Sequence, residues 1–239
     1  MTPTVAQSLA WTADGAAHLR GMMERMGDDA FAAPSALPNW TRAHVLTHVA
    51  RNADAMVNLL EWARTGTRTP AYPSREQRDA DIATGAKRTP AEIRGDVMAS
   101  SDRLARAVRA MPQEAWSATV ENVQGRRRPA SDILWFRARE VWIHAIDLDA
   151  GASFDDLPRP MLRELLTDVS AMFSARKDVP RLVLAPNDES RTWNVGEGPD
   201  PVEVRGPAAA VAAWLLGRSK GRDLRTAEGA RPPALPAWL

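Results

Sequence analysis

Apolar residues recur at helical spacing in four stretches of the first 150 residues, and polar segments containing Pro or Gly separate these stretches. The third stretch opens with Thr89-Pro90-Ala91-Glu92, which has the pattern of a capping box with proline at the first helical position. Gly66 and Gly151 follow the second and fourth stretches as stop signals. The predicted helices run over residues 5–26, from 39 or 41 to about 65, from 89 to about 111, and from about 129 or 131 to 149. Four helices of this kind predict a bundle.

A different pattern begins after Asp149. A helix is predicted over residues 158–175, and three short runs rich in β-branched and apolar residues follow it. Gly206-Pro207 then opens an alanine-rich helix that ends at about residue 216. The three strand-like runs are 181–185, 192–195 and 202–205. We therefore predict a mainly α chain with two domains, a four-helix bundle over residues 1–152 and a small α+β domain over residues 153–239.

Two polar segments lie between the predicted helices of the bundle. The connection over residues 66–88 is long, and its charged second half predicts a short helix at about 76–83. Connections of that length are usually functional or mobile. The basic run Arg126-Arg127-Arg128 is interpreted as a solvated turn, because runs of like charge normally face water.

Polar side chains interrupt the buried faces of the second and fourth predicted helices. On the second helix, His48 and Asn52 fall in the stripe formed by positions 45, 48, 52, 55 and 59. On the fourth, Glu140 and His144 lie one turn apart in the stripe formed by positions 134, 137, 140, 144 and 147. Burying a polar group without a partner costs roughly 2–7 kcal/mol, so these side chains require partners.

Two interpretations supply such partners. In the first, His48, Glu140 and His144 bind one divalent metal; zinc suits these donors, and three protein ligands leave a fourth position open for catalysis. In the second, His48 hydrogen-bonds to Glu140 in a buried polar network that needs no metal. His44, one turn before His48, is a rival ligand that would close the site and make it structural. His18 is interpreted as an ordinary surface or core residue. The residues alone leave these alternatives open.

Composition narrows the classes of function. The chain has 239 residues and no cysteine, so any thiol chemistry must use a thiol from outside the protein. A net charge of +1 gives no basic field for nucleic acid, and no apolar run approaches the roughly 20 residues of a membrane helix. The N-terminus lacks the basic and apolar blocks of a signal peptide. We therefore expect a cytoplasmic protein that binds neither nucleic acid nor membranes, and a monomer needs no further assumption.

Two segments around the candidate ligands resemble a known family. The segments Asn39-Trp-Thr-Arg-Ala-His-Val-Leu-Thr-His48-Val-Ala and Arg137-Ala-Arg-Glu140-Val-Trp-Ile-His144-Ala-Ile-Asp-Leu are similar to the mycothiol-dependent maleylpyruvate isomerases of the DinB-like metalloenzyme superfamily. The resemblance covers essentially the whole chain, including Gln124-Gly-Arg and Leu215-Leu-Gly-Arg218. It implies a DinB-like four-helix bundle followed by a small α+β domain.

The resemblance also implies a site and a reaction. Zinc would be held by His48, Glu140 and His144 and not by His44, and Arg218 would reach the active site from the second domain. The implied reaction turns maleylpyruvate into fumarylpyruvate, a cis-to-trans isomerisation in the gentisate route of aromatic catabolism. Mycothiol would be the external thiol, bound as a thiolate at the open zinc position; it would add to the double bond, allow rotation and then leave.

The implied substrate is a dianion, which makes arginines the candidates for binding it. Arg218 is the first candidate, and Arg78 and Arg137 are weaker ones, since structural ion pairs account for them more simply. Asn52 could orient a ligand or bind substrate, and Asp147 could support His144. Two rival functions are a mycothiol S-transferase acting on another electrophile and a non-catalytic metal-binding module.

Overall fold

The computed structural model describes residues 3–121 and 125–238. The chain divides into two compact units, Met1–Ala152 and Ser153–Leu239. Gln124, which contributes to the family resemblance, lies outside the described residues. None of the helices in the described part combines the length and the hydropathy that crossing a bilayer requires.

In the described part of the chain, the first unit contains four long α-helices and one short α-helix. The predicted bundle helices are confirmed, and the predicted short helix in the long connection is also present. Helix α2 begins after Thr41, whose hydroxyl accepts from the His44 amide, so Thr41 and not Asn39 is the cap. The predicted capping box at Thr89 is confirmed at the start of α4. The helices are α1 (Val5–Arg25), α2 (Arg42–Thr65), α3 (Arg75–Gly85), α4 (Pro90–Arg109) and α5 (Asp132–Asp147).

Close packing fixes α5 between its neighbours. Helix α5 contacts both α1 and α2, and α2 also packs against α3 and α4. At Gly15 on α1, a Cβ atom would come within 2.6 Å of the Trp142 ring on α5, so only glycine allows this approach. The Trp142 indole donates to the Trp11 carbonyl at 2.9 Å, which ties the two helices together. Helix α5 therefore presents its other face to α2, where the stripe with Glu140 and His144 lies.

A small hairpin that the hydrophobic pattern did not predict precedes α5. Strand β1 (Thr119–Glu121) pairs in antiparallel register with β2 (Arg127–Pro129). The basic run was interpreted as a turn, and this is wrong for Arg127 and Arg128, which lie in β2 although they are exposed as expected. Pairing with β1 provides hydrogen-bond partners for the backbone of this segment. Three consecutive arginines show no alternation of apolar and polar residues, so the sequence does not predict the strand.

In residues 153–238, the second unit packs two α-helices with a four-stranded sheet. The strand order is β4-β3-β5-β6, with β3 and β5 parallel and the outer pairs antiparallel. Three of the strands were predicted, and the two-residue β6 was too short to be recognised. Leu182, Leu184 and Val204 are fully buried and form the sheet's contribution to the core. The elements are α6 (Arg159–Ser174), β3 (Leu182–Pro186), β4 (Trp193–Val195), β5 (Val202–Gly206), α7 (Ala208–Leu215) and β6 (Arg225–Thr226).

Candidate metal centre

Helices α2 and α5 bring three side chains with metal-binding atoms together. Glu140 Oε2 lies 2.9 Å from His48 Nε2 and 3.3 Å from His144 Nε2. The two imidazole rings stand nearly perpendicular, at 88°, with 4.6 Å between their centroids. One potential ligand atom from each residue lies within 4.8 Å of the other two, and within residues 3–121 and 125–238 no second cluster of this kind occurs.

The donor set and its spacing fit a divalent metal. Two imidazole nitrogens and one carboxylate oxygen are the ligands of many catalytic zinc sites. Metal–ligand bonds of about 2.0–2.1 Å place the ligand atoms of a tetrahedral site about 3.3 Å apart, close to the separations between Glu140 and the two histidines. The Glu140 side chain keeps 27% of its surface exposed, so the cluster is open on one side. His48, Glu140 and His144 could therefore hold a metal with a position left for a ligand.

The same side chains form the hydrogen-bonded network that the second interpretation expects. The mostly buried position of Glu140 raises its pKa, but hydrogen bonds from His144 and His48 and the charges of these residues together hold that pKa well below its usual range. The network and the metal site therefore share one set of atoms. A metal that enters the site would replace these hydrogen bonds with coordination bonds to the same atoms, so the three side chains would keep their arrangement.

Asp147 forms a hydrogen bond with the ring nitrogen of His144 that faces away from the cluster. Its side chain is fully buried, and Oδ2 lies 2.9 Å from His144 Nδ1, on the ring edge opposite the cluster. Burial lowers the pKa of His144, but the hydrogen bonds to Asp147 and Glu140 outweigh this effect and raise it to about 9. A carboxylate behind a histidine fixes the ring orientation and the tautomer that binds metal through Nε2.

The surroundings of His48 are different. Burial lowers its pKa below the usual value, although the hydrogen bond with Glu140 opposes the shift. Its Nδ1 lies 3.3 Å from the Arg78 guanidinium on α3, which can only donate, so Nδ1 accepts and Nε2 carries the proton toward Glu140. In the protein without metal, His48 is thus neutral, whereas His144 is protonated.

The other two histidines lie outside the cluster. His44 Nδ1 accepts from the Thr41 hydroxyl at 2.7 Å and the Thr41 amide at 3.3 Å, which completes the cap of α2. His18 stacks on the Trp142 ring with 5.1 Å between centroids. His44 therefore lies outside the cluster and is engaged at the cap of α2, and its exclusion from the ligand set stays an implication of the resemblance.

Arg137 and Asn52 are bonded to each other beneath the cluster. Arg137 is 2% exposed, and its Nη1 donates to the Asn52 side-chain oxygen and to the Val49 carbonyl, both at 2.8 Å. Burial lowers the pKa of Arg137 to about 10, while the charge of Glu140 opposes the shift, so the guanidinium remains charged at neutral pH. These contacts favour a supporting role for both residues.

Tyr72 is a further residue of interest that no helical spacing predicts. It lies in the connection between α2 and α3, and the Arg78 guanidinium is 5.9 Å from the centroid of its ring. Tyr72 and Arg78 border a cleft of about 280 Å³, which Arg68 and Arg75 also line. Tyr72 is the single tyrosine of the chain, but nothing in the irregular connection indicates that it approaches His48 and Glu140.

Arg218 belongs to the second unit. It follows the end of α7, and its Nη1 donates to the Leu216 carbonyl at 2.7 Å. Its role in an active site stays a prediction that rests on the Leu-Gly-Arg motif.

Comparison with known proteins identifies relatives over the whole chain. The mycothiol maleylpyruvate isomerase N-terminal domain matches residues 12–149, and the MDMPI C-terminal domain matches residues 156–236. A crystal structure of a mycothiol-dependent maleylpyruvate isomerase is 36% identical, with 99% of this chain and 98% of that chain covered and a TM-score of 0.94. The structure of a histidine-to-alanine mutant of such an isomerase is 35% identical, with the same coverage and a TM-score of 0.93. No curated protein matches the chain.

Proposed function

The chain belongs to the family of mycothiol-dependent maleylpyruvate isomerases, and on this premise we propose that it isomerises maleylpyruvate to fumarylpyruvate with mycothiol as thiol cosubstrate. The observation that carries the proposal is the cluster of His48, Glu140 and His144, which offers a metal site of the required kind in a chain without cysteine. The nucleophile therefore has to come from outside the protein.

The proposed reaction is an addition followed by an elimination. The mycothiol sulfur forms a bond to one carbon of the cis double bond, and the electrons of that bond move toward the conjugated carbonyl oxygen. The remaining single bond rotates. When the electrons return, the carbon–sulfur bond breaks, the trans double bond forms, and the thiol is released unchanged.

The residues of the cluster would hold zinc, which lowers the pKa of a coordinated thiol when it is bound. His48 and His144 supply nitrogen donors, and Glu140 supplies a carboxylate oxygen. Asp147 keeps His144 in the tautomer that leaves Nε2 free for the metal. Arg137 places a buried positive charge below Glu140 and ties α5 to the α2 backbone.

Arginines would bind the two carboxylates of the substrate. Arg78 borders the cleft and also contacts His48, so a carboxylate held by Arg78 lies near the cluster. Arg218 is the candidate from the second unit, because it occupies the Leu-Gly-Arg motif that the resemblance highlights. Asn52 and Arg137 act indirectly, through their contact with each other. A monomeric, cytoplasmic protein remains our expectation.

The proposal is tested by incubating the purified protein with maleylpyruvate and following the formation of fumarylpyruvate. Reactions contain zinc-loaded or metal-free protein, with mycothiol, with glutathione or without thiol. We expect turnover only with zinc and mycothiol together. Absence of turnover under that condition contradicts the isomerase, and accumulation of a stable mycothiol adduct instead favours the S-transferase.

A further inference from the structure

The Tyr72 hydroxyl is a buried polar group near the candidate metal centre that the proposed mechanism does not use. Its oxygen makes no hydrogen bond of ordinary geometry to any residue in the described part of the chain. Buried polar groups are almost always hydrogen-bonded, and an exception in a native structure needs an explanation. A ligand that accepts a hydrogen bond from Tyr72 provides one.

Neighbouring side chains connect Tyr72 to the cluster. Its ring packs against the edge of the hydrophobic core cluster that contains Met56 and Ile133. The Arg78 guanidinium lies 5.9 Å from the ring centroid and 3.3 Å from His48 Nδ1. Tyr72 is thus separated from a metal-binding histidine by one side chain, and it borders the cleft of about 280 Å³.

The electrostatic surroundings keep the hydroxyl protonated. Burial raises the pKa of Tyr72 to about 12, and the Glu140 carboxylate contributes in the same direction, while Arg78 opposes the shift through its charge and through a hydrogen-bonding interaction that lacks the geometry of an ordinary hydrogen bond. At neutral pH, Tyr72 is therefore a neutral group with a proton to share. Arg78, in contrast, carries a positive charge and is suited to bind a carboxylate.

We infer that the Tyr72 hydroxyl is a catalytic hydrogen-bond donor to the substrate carbonyl oxygen that gains negative charge when the thiolate adds. The inference rests on the proposed function. As the carbon–sulfur bond forms, the electrons of the double bond move to this oxygen, and the Tyr72 O–H stabilises the resulting enolate without giving up its proton. Elimination of the thiolate returns the electrons and weakens the hydrogen bond again. A donor that acts mainly in the transition state raises kcat more than it lowers KM.

The test is the Tyr72→Phe variant, which keeps the ring and removes the hydroxyl. We expect kcat to fall by about 100-fold, as when other enzymes lose one donor to a developing oxyanion. The KM for mycothiol and the zinc content should stay unchanged. The melting temperature should not fall, because the deleted hydroxyl makes no hydrogen bond of ordinary geometry in the described part of the protein.

Thr47→Val is the matched control. Thr47 precedes His48 on α2, and its hydroxyl is also buried without a hydrogen-bond partner among the residues that the structure describes. Removing this hydroxyl should leave both the melting temperature and kcat at least as high as in the wild type. The comparison separates the loss of a buried hydroxyl in general from the loss of the Tyr72 hydroxyl, whose residue borders the cleft.

Three results would overturn the inference. If the wild type turns over maleylpyruvate and Tyr72→Phe matches its kcat, Tyr72 does not assist the reaction, and the proposed function stands. If Tyr72→Phe loses zinc and melts earlier in proportion to its loss of activity, Tyr72 is structural. If the wild type itself is inactive with zinc and mycothiol, the proposed function fails and the inference fails with it.

Discussion

The two histidines of the candidate metal centre have opposite surroundings. On the α5 side, His144 has a buried carboxylate behind it, since its Nδ1 lies 2.9 Å from Asp147. On the α2 side, His48 has a cation behind it, since its Nδ1 lies 3.3 Å from Arg78. Both histidines nevertheless turn Nε2 toward the same oxygen of Glu140.

This difference indicates that only one side is arranged in advance for a metal. When Nε2 of a histidine binds metal, Nδ1 carries the proton and needs an acceptor. Asp147 is such an acceptor for His144. Arg78 is not one for His48, so its contact with Nδ1 cannot persist once a metal is bound. We expect the α5 side to stay fixed and Arg78 to turn away, which makes its guanidinium available to an anionic substrate.

The largest expected effect comes from Glu140, which joins both sides. Glu140→Gln should lower zinc affinity about 1000-fold, because one of the few ligands of a site that binds with roughly 10–16 kcal/mol is lost. Metal analysis after dialysis against a zinc buffer measures this loss. His44→Ala is the matched control, since His44 caps α2 and lies outside the cluster; it should retain zinc. Zinc retained in Glu140→Gln would contradict the site.

The second largest expected effect is the pH dependence of zinc affinity. His144 has a pKa raised to about 9 in the protein without metal, so at neutral pH a metal must displace its proton, whereas His48, with its lowered pKa, has no charge to lose. Zinc affinity should therefore rise about tenfold per pH unit between about pH 6 and 8. Calorimetric titration with zinc in two buffers of different ionisation enthalpy measures the number of protons released on binding. An affinity that does not change with pH would show that both histidines are neutral and that the two sides are alike.

Asp147→Asn tests the support on the α5 side. The amide keeps an oxygen that accepts from His144 but loses the charge that favours the protonated and the metal-bound ring. We expect zinc affinity to fall about 10- to 100-fold, as for other changes behind a ligating histidine. The pH dependence should become shallower at the same time, because the pKa of His144 falls. An unchanged affinity would mean that Asp147 only fills space.

Helical periodicity explains how much of this site was predictable. His48, Glu140 and His144 were identified because the spacing of α2 and α5 fixes which side chains share a face. The same reasoning placed Asn52 and Arg137 on these faces, but it could not show that they bond to each other. That contact depends on how α2 and α5 pack, which no single-helix pattern contains.

The features that the sequence did not predict lie mostly in segments without regular spacing. Tyr72 lies in a connection without a period, so its approach to the cluster follows from the path of the chain and not from any spacing. Each strand of the β1–β2 pair is three residues long, and Val120 is its one buried side chain, so the pair gave no alternating hydrophobic pattern. Arg218 was found only through the resemblance, since one arginine after an alanine-rich helix is not distinctive by itself.

Arg78→Ala is expected to have the smallest effect and the opposite sign from Asp147→Asn. Removing a cation that competes for His48 Nδ1 should increase zinc affinity about two- to fivefold, since a partly exposed charge paired with Asp79 acts through a high effective dielectric. Arg75→Ala, on the same helix and at the same cleft, is the matched control and should leave zinc affinity unchanged.

If Arg78 binds a substrate carboxylate after it turns, KM for maleylpyruvate should rise about tenfold in Arg78→Ala although zinc binds more tightly. Weaker zinc binding in this variant would mean that Arg78 holds His48 in place, and the two sides of the site would then support the metal equally.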